Sequence, residues 1–339
     1  MQHLGTQTVR TETPVCIVQG AAVGGRKEAD GPLKERFDEL CEDAYFGQKS
    51  WEAAESAMLH RCFDLLCKKA KISPESLQYL LSGDLQSQCT GSAFALRGCA
   101  VPYFGLYGAC STMGEAMSLG AVLIDSGAAD RVCAMTGSHF CTAERQFRLP
   151  LEYGGQRSPT AQRTATAAGA VLLTGGDHDL PRITHITTGK IVDAGVTDVG
   201  NMGAAMVPAA WDTLRAHFRD TGRSPDYYDA VITGDLGHFG HDILADLAHA
   251  DGYEFPNIFT DCGMLLYDAP RQDMHSGASG CGCSASVFAG HILRCMQGKL
   301  WNRVLFAPTG ALMSTVTSQQ GESIPGICHA LAIENPEVN

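Results

Sequence analysis

The sequence predicts an α/β protein built from two related halves, and two observations carry this prediction. Short apolar runs typical of buried strands alternate along the chain with helical segments, which is the pattern of a largely parallel sheet covered on both faces. The second half then repeats the plan of the first. Ser73-Pro74 and Gly83-Asp84 reappear 151 positions later as Ser224-Pro225 and Gly234-Asp235.

Apolar patterning places the elements of the first half. Between residues 51 and 70 apolar side chains recur at helical spacing, whereas PVCIVQGAAV and RVCAMTGS are typical of buried strands. The segment from Phe104 to Cys110 also has the apolar character of a strand, and a helix of small residues follows it. The prediction for this half is strands at 14–23, 79–85, 131–138 and 169–174 and helices at 51–70, 92–99 and 112–126.

The second half repeats these elements in the same order. The prediction here is a helix at 204–221, a strand over DAVITGDLG, a small-residue helix opened by Cys281, and strands at 303–311 and 329–333. Gly127 and Gly298 end the two small-residue helices at the same distance from Cys110 and Cys281. These matches indicate a tandem duplication of units of about 160 residues, with halves at 1–175 and 176–339.

Composition narrows the class of protein. The chain has 339 residues and a formal charge of −12, which argues against sequence-independent nucleic-acid binding because that requires a basic face. The N-terminus lacks an apolar signal segment and no run of 18 apolar residues occurs, so we expect folding in the cytoplasm. The 14 cysteines are scattered and lack paired CxxC spacing, so we expect free thiols and no metal site.

Cys110 is the first candidate for a functional side chain. It directly precedes the predicted small-residue helix, where Thr112 and Glu115 match the pattern of a capping box. Unpaired N–H groups and the positive end of the helix dipole would favour the thiolate at this position. The alternative is a buried and inert cysteine, because free cysteines are among the most buried residues.

The two halves, with a cysteine at the start of the buried helix, resemble the thiolase superfamily, which includes thiolases and ketoacyl synthases. Within it, the chain resembles the stage V sporulation protein AD family along its whole length. The motifs that carry this resemblance are GPL (31–33), KSWEAAE (49–55), SGDL (82–85), YGACST (107–112), TAERQFR (142–148), TGRSPDYYD (221–229), SGCGCSA (279–285) and QQGESIP (319–325). The resemblance implies a thiolase-like fold of two pseudo-symmetric αβαβα halves with central mixed sheets.

The resemblance also implies a function in spore-forming bacteria. Members of the family are expected to bind dipicolinic acid, as the free acid or its calcium chelate, without a cofactor. The implied protein is a homodimer, peripheral at the spore inner membrane. It would work with the other stage V sporulation A membrane proteins, which take up the acid in sporulation and release it in germination. The pocket that thiolases use for acyl thioesters would then recognise this ligand.

An active acyltransferase or ketoacyl synthase using Cys110 is the alternative. Ketoacyl synthases carry a histidine at the end of a second-half strand, where this chain reads Thr233-Gly234-Asp235. The thiolase Gly-His-Pro motif would fall near 279–284, where no histidine occurs. His238 and His241 follow a few residues later, and they would be the substitute bases if the chain folded back toward Cys110. We therefore expect that the partner base is lost; a scaffold that binds no ligand is the second alternative.

The chemistry of dipicolinate points to candidate binding residues. Dipicolinate carries two carboxylates, which arginine contacts with a bidentate fork. The cationic and imidazole side chains that follow the strand at 131–138 are His139, Arg145, Arg148, Arg157 and Arg163. The predicted pocket is bordered by Asp84, Gln88, Cys110, Ser138, His139 and Arg145.

Two structural alternatives apply to these residues. Arg145 and Arg148 would instead pair with Glu144 and Glu152, or with a second subunit. Asp84 and its counterpart Asp235 end equivalent strands and would more simply fix the two central loops by accepting backbone N–H bonds. If calcium accompanies the ligand, Asp84 or Glu144 would be its contact.

Overall fold

A computed structural model describes residues 1–147, 157–256 and 258–336. Its strands are β1 (Gln2–Leu4), β2 (Thr8–Gly24), β3 (Glu39–Leu40), β4 (Tyr79–Gly83), β5 (Tyr103–Gly105), β6 (Arg131–Ser138), β7 (Arg163–Thr164), β8 (Ala167–Gly175), β9 (Arg182–Thr187), β10 (Ala230–Thr233), β11 (Phe259–Asp261), β12 (Ala278–Ser279), β13 (Arg303–Ala307), β14 (Thr309–Ala311), β15 (Gly326–Cys328) and β16 (Ala330–Glu334).

Helices fill most of the connections between these strands. They are α1 (Arg26–Ala29), α2 (Trp51–Ala70), α3 (Thr90–Leu96), α4 (Thr112–Asp125), α5 (Phe140–Phe147), α6 (Met202–Thr221), α7 (Gly237–Ala250), α8 (Cys262–Leu266), α9 (Ala269–Gln272), α10 (Cys281–Val287), α11 (Leu293–Gln297) and α12 (Thr315–Gln319). A 3-10 turn at Ala109–Ser111 precedes α4, and a π turn at Phe288–Ile292 joins α10 to α11.

The main sheet has the order of strands that a duplicated fold requires. Its strands run β11-β10-β13-β16-β9-β2-β8-β6-β4-β5, with β9 and β2 antiparallel at the centre. In the first half β4 is parallel to β5 and β6, while β8 lies between β6 and β2 and is antiparallel to both. The second half repeats this pattern with β10, β11, β13, β16 and β9. The predicted fold of two pseudo-symmetric halves with mixed sheets is therefore confirmed.

The two small-residue helices form the innermost helical layer. α4 packs against β6, β2 and β4, α10 packs against β8 and β6, and the two helices touch each other. Every residue of α10 is buried. Such close packing depends on Gly169 of β8, because a Cβ atom there would lie 2.1 Å from the carbonyl oxygen of Ala285. α2 covers β2 and β8 from the other side.

Several elements match their predicted bounds, and others differ. The predicted helix at 51–70 and strand at 131–138 are α2 and β6. The strand predicted before Cys110 is only the exposed three-residue β5 at the sheet edge. The predicted capping box is wrong: Ser111 is the N-cap residue, and the Thr112 hydroxyl instead donates to the Ala109 carbonyl and accepts from Gly108 N–H. Strand β9 was not predicted.

Two further observations concern the whole of the described chain. All 14 cysteines are free thiols, as the sequence predicted. Within residues 1–147, 157–256 and 258–336, no helix combines the length and the apolar character needed to cross a bilayer.

Candidate functional site

Cys110 lies in a tight turn between the sheet edge and the buried helix α4. The preceding residue, Ala109, has a φ of 50°, a left-handed conformation that costs a non-glycine residue about 1 kcal/mol or more. Hydrogen bonds within the turn hold it, since the Ser111 hydroxyl donates to the Gly108 carbonyl at 2.7 Å. Gly310 of β14 packs so closely on the Gly108 carbonyl that a Cβ atom would approach within 2.4 Å. The second half of the chain thus fixes the turn from outside.

The partner of the Cys110 thiol is a carboxylate. The negative charge of Asp235, which follows the end of β10, acts on the sulfur. Asp235 is fully buried and accepts two hydrogen bonds, each of 2.9 Å, from the Thr309 hydroxyl and from Gly280 N–H. Thr309 of β14 and Gly280 before α10 therefore fix this carboxylate in place.

This environment keeps Cys110 protonated. Burial, followed by the negative charge of Asp235, raises the pKa of the Cys110 thiol well above its usual value. Burial likewise raises the pKa of Asp235 to about 7. The prediction of a thiolate favoured by the helix terminus is wrong, because the dehydration of the site and the adjacent carboxylate outweigh the dipole of α4.

No histidine ring is hydrogen-bonded to the Cys110 sulfur within the residues that the structure describes. All twelve histidines lie in those parts of the chain. His241, one of the two predicted substitutes, contacts the Phe259 carbonyl oxygen at 3.3 Å and stacks on the Phe259 ring. His238, the other, begins α7 without a hydrogen bond to the sulfur.

A small cavity of about 20 Å³ adjoins Cys110. This volume accommodates about one water molecule. Its described lining is mostly apolar, with the polar side chains Cys110, Glu144, Thr164 and Ser279 and the apolar side chains Leu85, Ala109, Phe147, Met202, Ala311 and Met313. The described lining contains a carboxylate but neither arginine nor lysine, so it lacks the cationic forks that a free dianion requires.

Of the six residues predicted to border the pocket, only Cys110 lines this cavity. Asp84 is buried behind it and accepts hydrogen bonds from the backbone N–H groups of Gln86, at 2.8 Å, and Ser92, at 2.6 Å, and from the Ser92 hydroxyl. These bonds match the loop-fixing role considered for Asp84. Gln88 is exposed, with a φ of 62°, in the turn before α3.

Ser138 and His139 are buried at the end of β6 but use their polar atoms within the protein. The Ser138 hydroxyl donates to the Ala165 carbonyl at 2.8 Å and accepts from Gly282 N–H at 3.2 Å. The His139 ring bonds the Ala44 carbonyl through Nε2, at 2.9 Å, and lies against Trp51. Burial lowers the pKa of His139, so the ring is neutral near pH 7.

The predicted arginine cluster is spread over the surface rather than gathered at Cys110. Arg145 of α5 forms an ion pair with Glu52, instead of with the predicted Glu144. Arg157 donates to the Asp273 carbonyl, and Arg163 lies 3.8 Å from the centre of the Phe140 ring. Arg148 and Glu152 lie outside the described residues. The part assigned to these residues in ligand binding remains a prediction.

The pseudo-symmetry explains why Asp84 was predicted at Cys110. The charge of Asp235 of the second half acts on Cys110 of the first, while burial and then the charge of Asp84 of the first half raise the pKa of Cys281 of the second. The Cys281 thiol itself donates to the Gly137 carbonyl at 3.1 Å. Asp84 and Asp235 were recognised as equivalent from the sequence. The crossed arrangement is visible only when the halves are folded together.

Glu55 of α2 is a buried polar residue that the sequence did not single out. Its Oε2 accepts from the Gln86 amide at 2.8 Å and from the Thr142 hydroxyl, while its Oε1 has no hydrogen-bond partner. Burial and the neighbouring Asp84 raise the pKa of Glu55 well above its usual value. A helical glutamate flanked by alanines in KSWEAAE gave no sequence signal that would distinguish it from a surface residue.

Comparison with known proteins places the chain in a family. The family model described as Stage V sporulation protein AD matches residues 5–334. The chain is also 41% identical over 335 residues to the Stage V sporulation protein AD of Bacillus subtilis (strain 168), covering 98% of each protein. The chain belongs to the stage V sporulation protein AD family. This agrees with the family resemblance seen in its motifs.

Condensing enzymes are among the solved structures that resemble the chain. At such low sequence identity the resemblance concerns the fold alone. The 3-oxoacyl-[acyl-carrier-protein] synthase III of Aquifex aeolicus aligns with a TM-score of 0.59 at 13% identity, covering 94% of this chain and 99% of its own. Cerulenin-bound OleA of Xanthomonas campestris aligns with a TM-score of 0.61 at 13% identity, covering 96% and 99%. The thiolase-like fold of this family member is thus evident at the level of architecture.

Replacing Asp235 tests the electrostatic control of Cys110. The change Asp235→Asn removes the negative charge that raises the thiol pKa, so alkylation of Cys110 by iodoacetamide at pH 8 should accelerate by about tenfold, the effect of one pKa unit on the thiolate fraction. Peptide mass spectrometry gives the rate for each cysteine. Asp242→Asn, on the exposed side of α7, is the matched control and should leave the rate unchanged. An Asp235→Asn rate equal to that of the parent protein would contradict the assignment.

Proposed function

We propose that this member of the family binds dipicolinate as a peripheral component of the assembly of spore inner-membrane proteins that takes up the acid in sporulation and releases it in germination. Support comes from the family to which the chain belongs, which carries the proposal, and from the burial of the Cys110 thiol beside the Asp235 carboxylate. A condensing enzyme of this fold needs a thiolate as its nucleophile. Burial and the charge of Asp235 keep Cys110 a thiol at neutral pH.

The charges around Cys110 favour the calcium chelate over the free acid. Glu144 lines the cavity, where its Oε1 accepts a hydrogen bond of 2.9 Å from the Thr164 hydroxyl. Calcium prefers oxygen ligands, and the carboxylate of Glu144 is such a ligand.

Binding requires the cavity to open. A volume of about 20 Å³ is smaller than an aromatic dicarboxylate, so side chains of the lining must rotate away. Met202 and Met313 are unbranched and change rotamer at little cost. Phe147, at the end of α5, is partly exposed. The site in this form is therefore a closed state of the proposed receptor.

Calorimetry with the free acid and with its calcium chelate tests the proposal. We expect binding of the chelate, weakened about tenfold by Glu144→Gln, which removes one charged contact to the metal. Glu35→Gln changes an exposed glutamate and is the control. Absence of binding of either form would refute the proposal and favour the non-binding scaffold. Tighter binding of the free acid, unaffected by Glu144→Gln, would contradict the charge argument.

The acyltransferase alternative makes a distinct prediction in the same samples. Incubation with acetyl-CoA and longer acyl-CoAs would add the acyl mass to Cys110 if the thiol were an active nucleophile. On the proposed function no adduct forms. A stable adduct with turnover would contradict the proposed receptor function and show that the protein is an enzyme.

We further propose that a second copy of the chain pairs with the open edge of the sheet at β5. This strand ends the sheet and is paired on one side, with β4, within the described residues. Aromatic side chains are exposed at this edge: Phe94, Tyr103, Phe104 and Tyr107 are between 37% and 56% accessible. An unpaired strand edge beside an exposed apolar patch is typical of an interface at which two sheets associate.

A charge introduced at this edge tests the homodimer. Phe104→Arg places a cation in the centre of the aromatic patch, so a dimer seen by sedimentation velocity should dissociate into monomers at the same concentration. Leu300→Arg, at an exposed apolar position after α11, is the matched control. A monomeric parent protein, or a dimer that persists in Phe104→Arg, would exclude this interface.

A further inference from the structure

A second, larger cleft lies at the opposite edge of the main sheet from Cys110. The Cys110 site adjoins the carboxyl ends of β4, β6 and β10, whereas this cleft lies where β13 begins and β16 ends. Register places Arg182, Glu334 and Arg303 side by side on β9, β16 and β13. The cleft has a volume of about 560 Å³ and is open to solvent. A break in the pairing of β2 with β9, between Arg10 and Val15, forms one wall.

Arg223 is fixed at the base of this cleft. Its Nη1 lies 2.8 Å from a Glu334 oxygen, 3.3 Å from the Tyr228 hydroxyl and 3.2 Å from His185 Nδ1. The guanidinium also stacks 4.2 Å from the centre of the Tyr227 ring. These contacts hold the guanidinium plane in one orientation, while Nε and Nη2 have no hydrogen-bond partner in the described chain.

Two more arginines face the same space with few partners of their own. Arg10 bonds only the amide oxygen of Gln2, and Arg182 has only a long contact of 3.6 Å to the exposed Asp177, within the described residues. Each carboxylate that lines the cleft has another cationic partner. Glu334 pairs with Arg223, Glu12 pairs with the N-terminal amine, and Asp220 accepts from the N–H groups of residues 6 and 7 and from Arg219. Arg10 and Arg182 therefore keep guanidinium donors that no carboxylate of the cleft uses.

The first half of the chain shows that the fold does not need these charges. Register pairs Arg131 with Thr174 in the first half where Arg303 pairs with Glu334 in the second. Ile72 likewise precedes Ser73-Pro74 as Arg223 precedes Ser224-Pro225. The equivalent cleft of the first half is lined mostly by uncharged side chains, with Asp130 and Arg131 as its acidic and basic members. Ile72 and Thr174 pack the junction where the second half has Arg223 and Glu334, so the fold does not require that charged pair.

We propose that this arginine-lined cleft is a binding site for a small dianion bearing carboxylate or phosphate groups. Arg223 supplies a fixed bidentate fork, and Arg10 and Arg182 close on the ligand from the two walls. The hydroxyls of Thr11, Thr13 and Thr184 also line the cleft and add neutral donors. This site is separate from the Cys110 site of the proposed function and does not depend on it.

Calorimetry on the full chain with inorganic phosphate and with calcium-free dipicolinate tests the site. We expect at least one of these two anions to bind, and its affinity to fall about tenfold in Arg182→Gln or Arg10→Gln, the loss of one charge-assisted contact. The two probes distinguish a phosphate from a dicarboxylate ligand. Arg131→Gln, the same change in the equivalent cleft of the first half, should leave the affinity unchanged.

The double variant Arg223→Ile/Glu334→Thr reproduces the pair that the first half uses, so it should fold and should lose binding. Failure of both anions to bind, or binding that survives in Arg182→Gln and in the double variant, would overturn the proposal. The two sites are distinguishable, because Glu144→Gln affects the calcium chelate at Cys110 and leaves the arginine-lined cleft intact. Chelate binding lost in Glu144→Gln, with neither free anion bound, would retain the proposed function and remove this inference.

Discussion

The position of the buried Asp235 carboxylate beside the Cys110 thiol determines what the centre of this molecule can do. It brings the end of a strand in one half to the start of a buried helix in the other, and Gly280 N–H fixes the carboxylate. A thiol beside an imidazolium gives up its proton readily, whereas a buried thiol beside a carboxylate keeps it. The fold of a condensing enzyme is therefore combined with a sulfur that stays protonated.

The two halves are related by pseudo-twofold symmetry but differ in the side chains at equivalent positions. At the carboxyl ends of the strands this symmetry places Cys110 in the field of Asp235, and Cys110 adjoins a cavity. At the other edge of the sheet the same symmetry produces two clefts, one with Ile72 and Thr174 and one with Arg223 and Glu334 at the equivalent positions. Equivalent positions of the two halves therefore differ in their charged side chains.

The architecture was predictable because its signals are local. α2 has helical spacing over its whole length and β6 is a continuous apolar run, so both were found with their bounds. β9 was missed since its sequence, RITHIT, looks polar. Its hydroxyls are nevertheless buried and satisfied, with Thr187 bonded to Thr8 at 2.9 Å and to His217 at 2.7 Å. The sequence does not indicate which polar residues will be buried and hydrogen-bonded to residues far away in the chain.

The charge state of the site was not predictable for a related reason. A helix terminus is visible in the sequence and argues for a thiolate, but the dehydration of Cys110 and the nearby charge of Asp235 are long-range effects. A direct titration of Cys110 by NMR of ¹³C-labelled cysteine, assigned with Cys110→Ser, tests this central claim. The account predicts a sulfur that is still protonated at about pH 9, where an ordinary cysteine is mostly ionised. A thiolate already present at neutral pH would contradict it.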